Sequence, residues 1–146
     1  MGCFYQRGVR FTCTGCRYCC AGEPGFVFLT VEDVDRLAGR FHLSREVFLQ
    51  RYCRTTQSSG FFYSLLEKSD NACIFLTEKG CGVYEDRPLQ CRTYPFWIRI
   101  MENKESWDDE ARRCPGMGHG ELHPKEEIEA CLTALQHAVP MIKGEE

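Results

Sequence analysis

Four sulfurs fall within eight residues at Cys13-Thr14-Gly15-Cys16-Arg17-Tyr18-Cys19-Cys20. Cys13, Cys16 and Cys19 have the C-x2-C-x2-C spacing. Such spacing lets a short loop turn its thiolates back onto one metal centre, and Gly15 suits the turn. Cys20 adjoins the third of these sulfurs. Neighbouring residues point different ways, so Cys20 serves a second centre, a neighbouring iron, or nothing. Seven further cysteines follow or precede: Cys3, Cys53, Cys73, Cys81, Cys91, Cys114 and Cys131.

Three of the eleven are set aside. Cys3 lies outside the tight cluster, Cys53 closes a helical stretch, and Cys131 lies beside an apolar stripe; the last two read as core. The candidate metal ligands are therefore Cys13, Cys16, Cys19, Cys20, Cys73, Cys81, Cys91 and Cys114. One mononuclear zinc takes four thiolates, so eight point to two four-coordinate sites or to one polynuclear cluster with spare ligands. The ferredoxin run is C-x2-C-x2-C-x3-C-P, and the first three ligands share its spacing, with Cys114-Pro115 as a distant Cys-Pro. Thiolate sets accept zinc and iron alike. The expected cofactor is an iron–sulfur cluster or iron, with zinc as the alternative. Arg17, Arg87, Arg92 and Arg99 stand close to cysteines in sequence, where they could offset the negative charge of such a site. His119 and His123 are candidate replacements for a cysteine ligand. No catalytic residue is assigned: there is no radical-SAM cysteine triplet, phosphate-cradling loop or dinucleotide fingerprint.

The chain has 146 residues, the size of one domain, and a net charge of −3. Nucleic-acid binders are usually basic, so no nucleic-acid partner is expected. The longest apolar runs are far too short to span a bilayer, and no membrane partner is expected. Met1–Arg10 lacks the apolar core of a secretory leader. The expected location is the cytoplasm, where thiols stay reduced. An odd cysteine count and the vicinal Cys19–Cys20 pair also favour metal ligation over a disulfide framework. A protein partner is left open.

The elements that must carry these cysteines are short. Gly25–Leu29 reads as a strand. Thr30 and Asp33 form a helix start with reciprocal capping, although Glu is more usual at the second position. Val34, Leu37, Ala38 and Phe41 continue the helix to about Gly39 or His42. Ser44 caps a second helix with Val47, Phe48 and Tyr52 on one face. Phe61–Leu66 reads as a strand and Asp70-Asn71 as a turn. Cys73–Leu76 and Cys81–Tyr84 read as a hairpin around Glu78–Gly80. Asp86–Tyr94 reads as a short helix capped by Asp86 and stopped by Pro95. Phe96–Met101 reads as a strand, Asn103–Arg113 as a polar stretch, and Cys114–Gly120 as a glycine-rich loop. A helix from about 124 to 139 carries the stripe Ile128, Leu132, Leu135 and Val139.

These motifs together resemble the CxxCxxCC family of zinc- or iron-chelating domains, also called YkgJ-type cysteine cluster proteins. The matching elements are Cys13–Cys20, Leu29-Thr30 with its Thr-x-x-Asp helix, Cys73–Leu76, Cys81–Tyr84, Arg87-Pro88, Cys91-Arg92 and Tyr94–Phe96, with Cys114–Gly116 as a late element. The resemblance implies a small metal-chelating domain. Some relatives are similar to flagellin lysine N-methylases, in which the module belongs to a longer chain. The expectation is an α+β, loop-rich single domain over 1–146, with its core at 11–120 and three to four helices around a cysteine-ligated metal. Two alternatives stand beside it: a zinc-stapled interaction module without catalysis, and a cluster-dependent protein-modifying enzyme.

Overall fold

Apolar runs broken this often by glycine, proline and cysteine can build only short elements, and the computed structural model has them. It describes residues 3–14, 27–56, 63–68 and 72–142. In chain order the elements are β1 (Val9–Phe11), α1 (Val31–Arg40), α2 (Arg45–Tyr52), β2 (Cys53–Thr55), β3 (Tyr63–Leu65), β4 (Leu76–Thr77) and β5 (Gly80–Cys81). A 3-10 turn (Tyr84–Asp86) leads to α3 (Leu89–Thr93), α4 (Ile98–Met101), α5 (Lys104–Ala111), β6 (Met117–His123) and α6 (Lys125–Gln136). The strands pair antiparallel as β1–β6, β2–β3 and β4–β5. The α+β class expected from the sequence is the one observed. No helix among the described residues is long and apolar enough to cross a membrane.

The chain divides into two compact units: Met1–Tyr18 with Thr93–His137, and Cys19–Arg92 with Ala138–Glu146. The second is built on α1 and α2. The Thr30 hydroxyl accepts from the Asp33 amide, and the Asp33 carboxylate accepts from the Thr30 amide, both at 3.0 Å, so the predicted capping box is present. The helix stops in a Schellman turn. Leu43 N donates to Ala38 O at 2.9 Å, His42 N to Gly39 O at 3.2 Å, and His42 itself takes φ 56°. Ser44 caps α2 by accepting from Val47 N at 3.2 Å. Leu29, Val34, Leu37, Phe48, Leu65 and Met141 make the core, and Phe41, Tyr52 and Phe75 pack against one another beside it at centroid distances of 5.2–5.7 Å. Val27–Leu29 runs beside β3 through a single bridge, Phe28 to Ser64, and forms no longer strand. The Asp70-Asn71 turn lies outside the described residues.

The other unit differs more from the sequence reading. Phe96–Met101 is no strand: Ile98–Met101 is helical, with Met101 N donating to Trp97 O at 2.8 Å. Burial follows the helical period, since Phe96 and Ile100 are buried while Ile98 is exposed. The polar stretch after it is helix α5, capped by the Asn103 side chain accepting from Ser106 N at 2.8 Å. It turns Trp107 and Glu110 inward, and the Tyr94 hydroxyl donates to the Glu110 carboxylate at 2.5 Å. The glycine-rich loop runs into β6, which begins at Met117 and continues to His123. Its pairing with β1 jumps from Arg10–Leu122 to Phe11–Met117, and Gly118 and Gly120 adopt φ near +86° and +85° to allow that excursion. The last helix ends at Gln136, four residues before Pro140, so Val139 lies beyond it and is exposed. Phe96, Ile100, Trp107, Met117 and Ile128 form this unit's core, and Phe11 packs against it.

Candidate metal centre

The β4–β5 hairpin brings two of the candidate thiols together. Leu76 N turns back onto Cys73 O at 2.9 Å, and Leu76 then pairs with Cys81 across the hairpin. Gly82 N closes the far side onto Phe75 O at 2.7 Å. Cys73 and Cys81 are both half-buried free thiols. The Cys73 pKa is raised, chiefly by burial. The Phe75 amide, which donates to its sulfur, and the Lys68 ammonium act in the opposite direction, while Cys81 and Glu67 add repulsion. The two sulfurs are therefore near enough to feel one another's charge. The expected Cys73–Leu76 strand is reduced to a bridge between Cys73 and Glu67, with β4 beginning at Leu76.

Cys91 is half-buried on α3. This helix is not capped by Asp86, as its sequence suggested. The Asp86 carboxylate instead pairs with Arg40 at 2.9 Å. Asp33, from the start of α1, accepts from Leu89 N at 3.0 Å and supplies the cap across 56 residues of chain. Arg36 Nη2 donates to Arg87 O at 2.9 Å. Sequence reasoning assigned Asp33 to its own helix and missed this second role; the one available signal was Asp where Glu is usual. The arginines beside these cysteines bond to backbone. Arg87 lies 3.9 Å over the Tyr84 ring and donates to Tyr84 O, and Arg92 Nε donates to Arg87 O. Arg99 pairs at 3.8 Å with Glu110. Arg17 lies outside the described residues.

In the other unit Cys13 is exposed and Cys114 buried. The residue before Cys13 is held to the loop after Cys114: Thr12 N donates to Gly116 O at 3.3 Å, and Glu121 N donates to Thr12 Oγ1 at 2.8 Å. His119 is exposed. His123 has Phe11 O at 2.8 Å from Nε2 and the Glu127 carboxylate at 2.9 Å from Nδ1. Both partners are acceptors, so this arrangement favours the doubly protonated imidazolium, in which both ring nitrogens donate. Burial opposes that charge, but the hydrogen bonds to Glu127 and Phe11 and the Glu127 and Glu121 carboxylates outweigh it and raise the pKa. In this state His123 has no lone pair for a metal. Cys16, Cys19 and Cys20 lie outside the described residues. Among the described residues no three His, Cys, Asp or Glu side chains form a metal-holding group.

The family model described as "CxxCxxCC: Putative zinc- or iron-chelating domain" matches residues 12–115. The chain belongs to the CxxCxxCC family. Two proteins of Methanocaldococcus jannaschii are similar to it, the uncharacterized proteins MJ0661 and MJ0939. MJ0661 is 28% identical over 102 residues, covering 68% of this chain and 52% of that protein. MJ0939 is 25% identical over 129 residues, covering 82% of this chain and 41% of that protein. The chain thus spans about half the length of the curated relatives it matches. No solved structure matches it.

The CxxCxxCC span divides the eleven cysteines usefully. Cys3 and Cys131 fall outside residues 12–115. Cys53 falls inside but is buried in the apolar core, where burial pushes its pKa up to about 12. The described remainder is a set of soft sulfur donors, the ligand type that suits zinc and iron. Cys73 fits such a metal well. A cation would offset the burial of its charge and the repulsion from Cys81, and the Phe75 N–H already supports the thiolate.

Proposed function

We propose that this CxxCxxCC chain holds iron or zinc through Cys13, Cys16, Cys19, Cys20, Cys73, Cys81, Cys91 and Cys114. The observation that carries this reading is the β4–β5 hairpin, where Leu76 N turns back onto Cys73 O at 2.9 Å and Leu76 pairs with Cys81, so that one short hairpin carries two half-buried thiols. The family supports chelation of zinc or iron in general. Eight thiolates exceed the four of one zinc ion, so the loadings to expect are an iron–sulfur cluster or about two zinc ions per chain. Iron would supply redox chemistry; zinc would supply folding energy alone.

Anaerobic purification followed by elemental analysis and a visible spectrum tests the proposal. Brown protein with iron and sulfide establishes a cluster. Colourless protein with about two zinc ions establishes the zinc form. Protein that folds with neither metal, before and after anaerobic reconstitution, refutes both.

A further inference from the structure

We propose that Asp33 positions the Cys91 thiolate, with Arg36 and Arg40 of the same helix holding the arm that runs back to Cys81, and so sets how tightly the chain holds its metal. The inference rests on the reading of Cys81 and Cys91 as ligands. Asp33 is only 1% exposed. One carboxylate oxygen accepts from Thr30 N at 3.0 Å and starts α1. The other accepts from Leu89 N at 3.0 Å and from Arg36 Nη2 at 2.9 Å. A capping box alone needs only the first of these bonds, and Glu provides it more often. The Asp carboxylate here serves two helices, one of which carries Cys91.

The same face of α1 holds the rest of the arm between the two cysteines. Arg36 Nη2 donates to Arg87 O at 2.9 Å and to Asp86 O at 3.4 Å. Arg40 Nη2 donates to Gly82 O at 3.2 Å, and Arg40 Nη1 to the Asp86 carboxylate at 2.9 Å. Gly82 follows Cys81 directly, and Leu89 precedes Cys91 by two residues. Backbone groups at both ends of the arm are thus tied to one rigid helix. A five-residue helix cannot hold itself in water, so α3 depends on these external bonds. The Asp33 carboxylate bonds named above go to Thr30, Arg36 and Leu89, and through Leu89 they reach the backbone that aims Cys91.

The test is an anaerobic cobalt(II) titration of metal-free protein, read by thiolate-to-cobalt charge-transfer absorption, with zinc affinity taken by competition. Asp33→Asn keeps the side-chain shape but sets an amide donor against a backbone N–H. It should weaken metal binding by about 10–100-fold, the usual effect of removing a group that supports a ligand, and lower the absorption per cobalt. Ser44→Ala, which uncaps α2, should lower Tm and leave affinity and spectrum unchanged. Arg36→Gln frees the Arg87 carbonyl but keeps the Leu89 cap, and should weaken binding in the same direction; it carries the test if Asp33→Asn does not fold. Unchanged affinity and spectrum in the folded variants overturns the proposal. Equal losses in Asp33→Asn and Ser44→Ala overturn it too, since the effect is then general destabilisation. Wild-type protein that takes up neither metal overturns the ligand reading itself, and the inference with it.

Discussion

Cys53 and His123 show how much the state of one side chain depends on its surroundings. Cys53 sits where α2 passes into β2, and burial pushes its thiol up to about 12. Iodoacetamide should therefore spare Cys53 in native metal-free protein and modify it only in denaturant, as peptide mass spectrometry would show. Cys53→Ala should leave metal content unchanged; rapid native alkylation, or lost metal in that variant, would contradict its place in the core. His123 gives a pH dependence. Its pKa is raised in the folded protein, so the stability it adds is fully present below the ordinary value of about 6.5 and is lost as pH rises through the raised value. The groups responsible are the carboxylates of Glu127 and Glu121 and the carbonyl of Phe11. Thermal unfolding should show the largest Tm advantage over His123→Gln near about pH 6, shrinking toward about pH 9; a constant difference would show that the ring is not charged. Local chemistry of this kind was legible in the sequence where the partner is near. The caps at Thr30, Asp33 and Ser44 each close within three residues. The His123 bond to Phe11 spans 112 residues and has no local signature.

Elements were readable where one face is apolar over several turns. Val34, Leu37 and Ala38 announce α1, and Ile128 with Leu132 announces α6. The misread elements are those whose signal is split. Phe96–Met101 is rich enough in aromatic and branched residues to look like a strand, yet Phe96 and Ile100 are spaced as a helix buries them. Lys104–Ala111 has one large apolar residue, Trp107, and is defined mainly by its Asn103 cap. β6 is hidden because Gly118 and Gly120 interrupt it, and its partner β1 lies more than a hundred residues away. Glycine replacements test this element directly. A Cβ at Gly116 would overlap the Thr12 carbonyl oxygen, whereas one at Gly39 meets nothing within 4 Å. Gly116→Ala should cost about 3 kcal/mol, the upper end of an overpacking penalty. Gly39→Ala, inside α1, should stabilise by about 0.5–1 kcal/mol. Chemical denaturation of both variants checks the contrast, and a neutral Gly116→Ala would mean that Thr12 does not pack against the Cys114 loop.

At the scale of the molecule, each compact unit has its own apolar core and its own candidate thiols. Cys13 and Cys114 belong to one unit, and Cys73, Cys81 and Cys91 to the other. The sequence offered Cys13, Cys16, Cys19 and Cys20 as candidate ligands because close cysteine spacing is a local signal. It also separated Cys53, later found buried, from the candidates. What it could not show is how a ligand is held, since Asp33, Arg36 and Arg40 act on residues about fifty positions away. The central claim is that cysteine sulfurs are the only protein ligands that hold the metal. X-ray absorption at the edge of the bound metal tests it most directly. The account predicts a shell of sulfur scatterers, at about 2.3 Å if the metal is zinc. A first shell of nitrogen or oxygen at about 2.0–2.2 Å, with little or no sulfur, would contradict it.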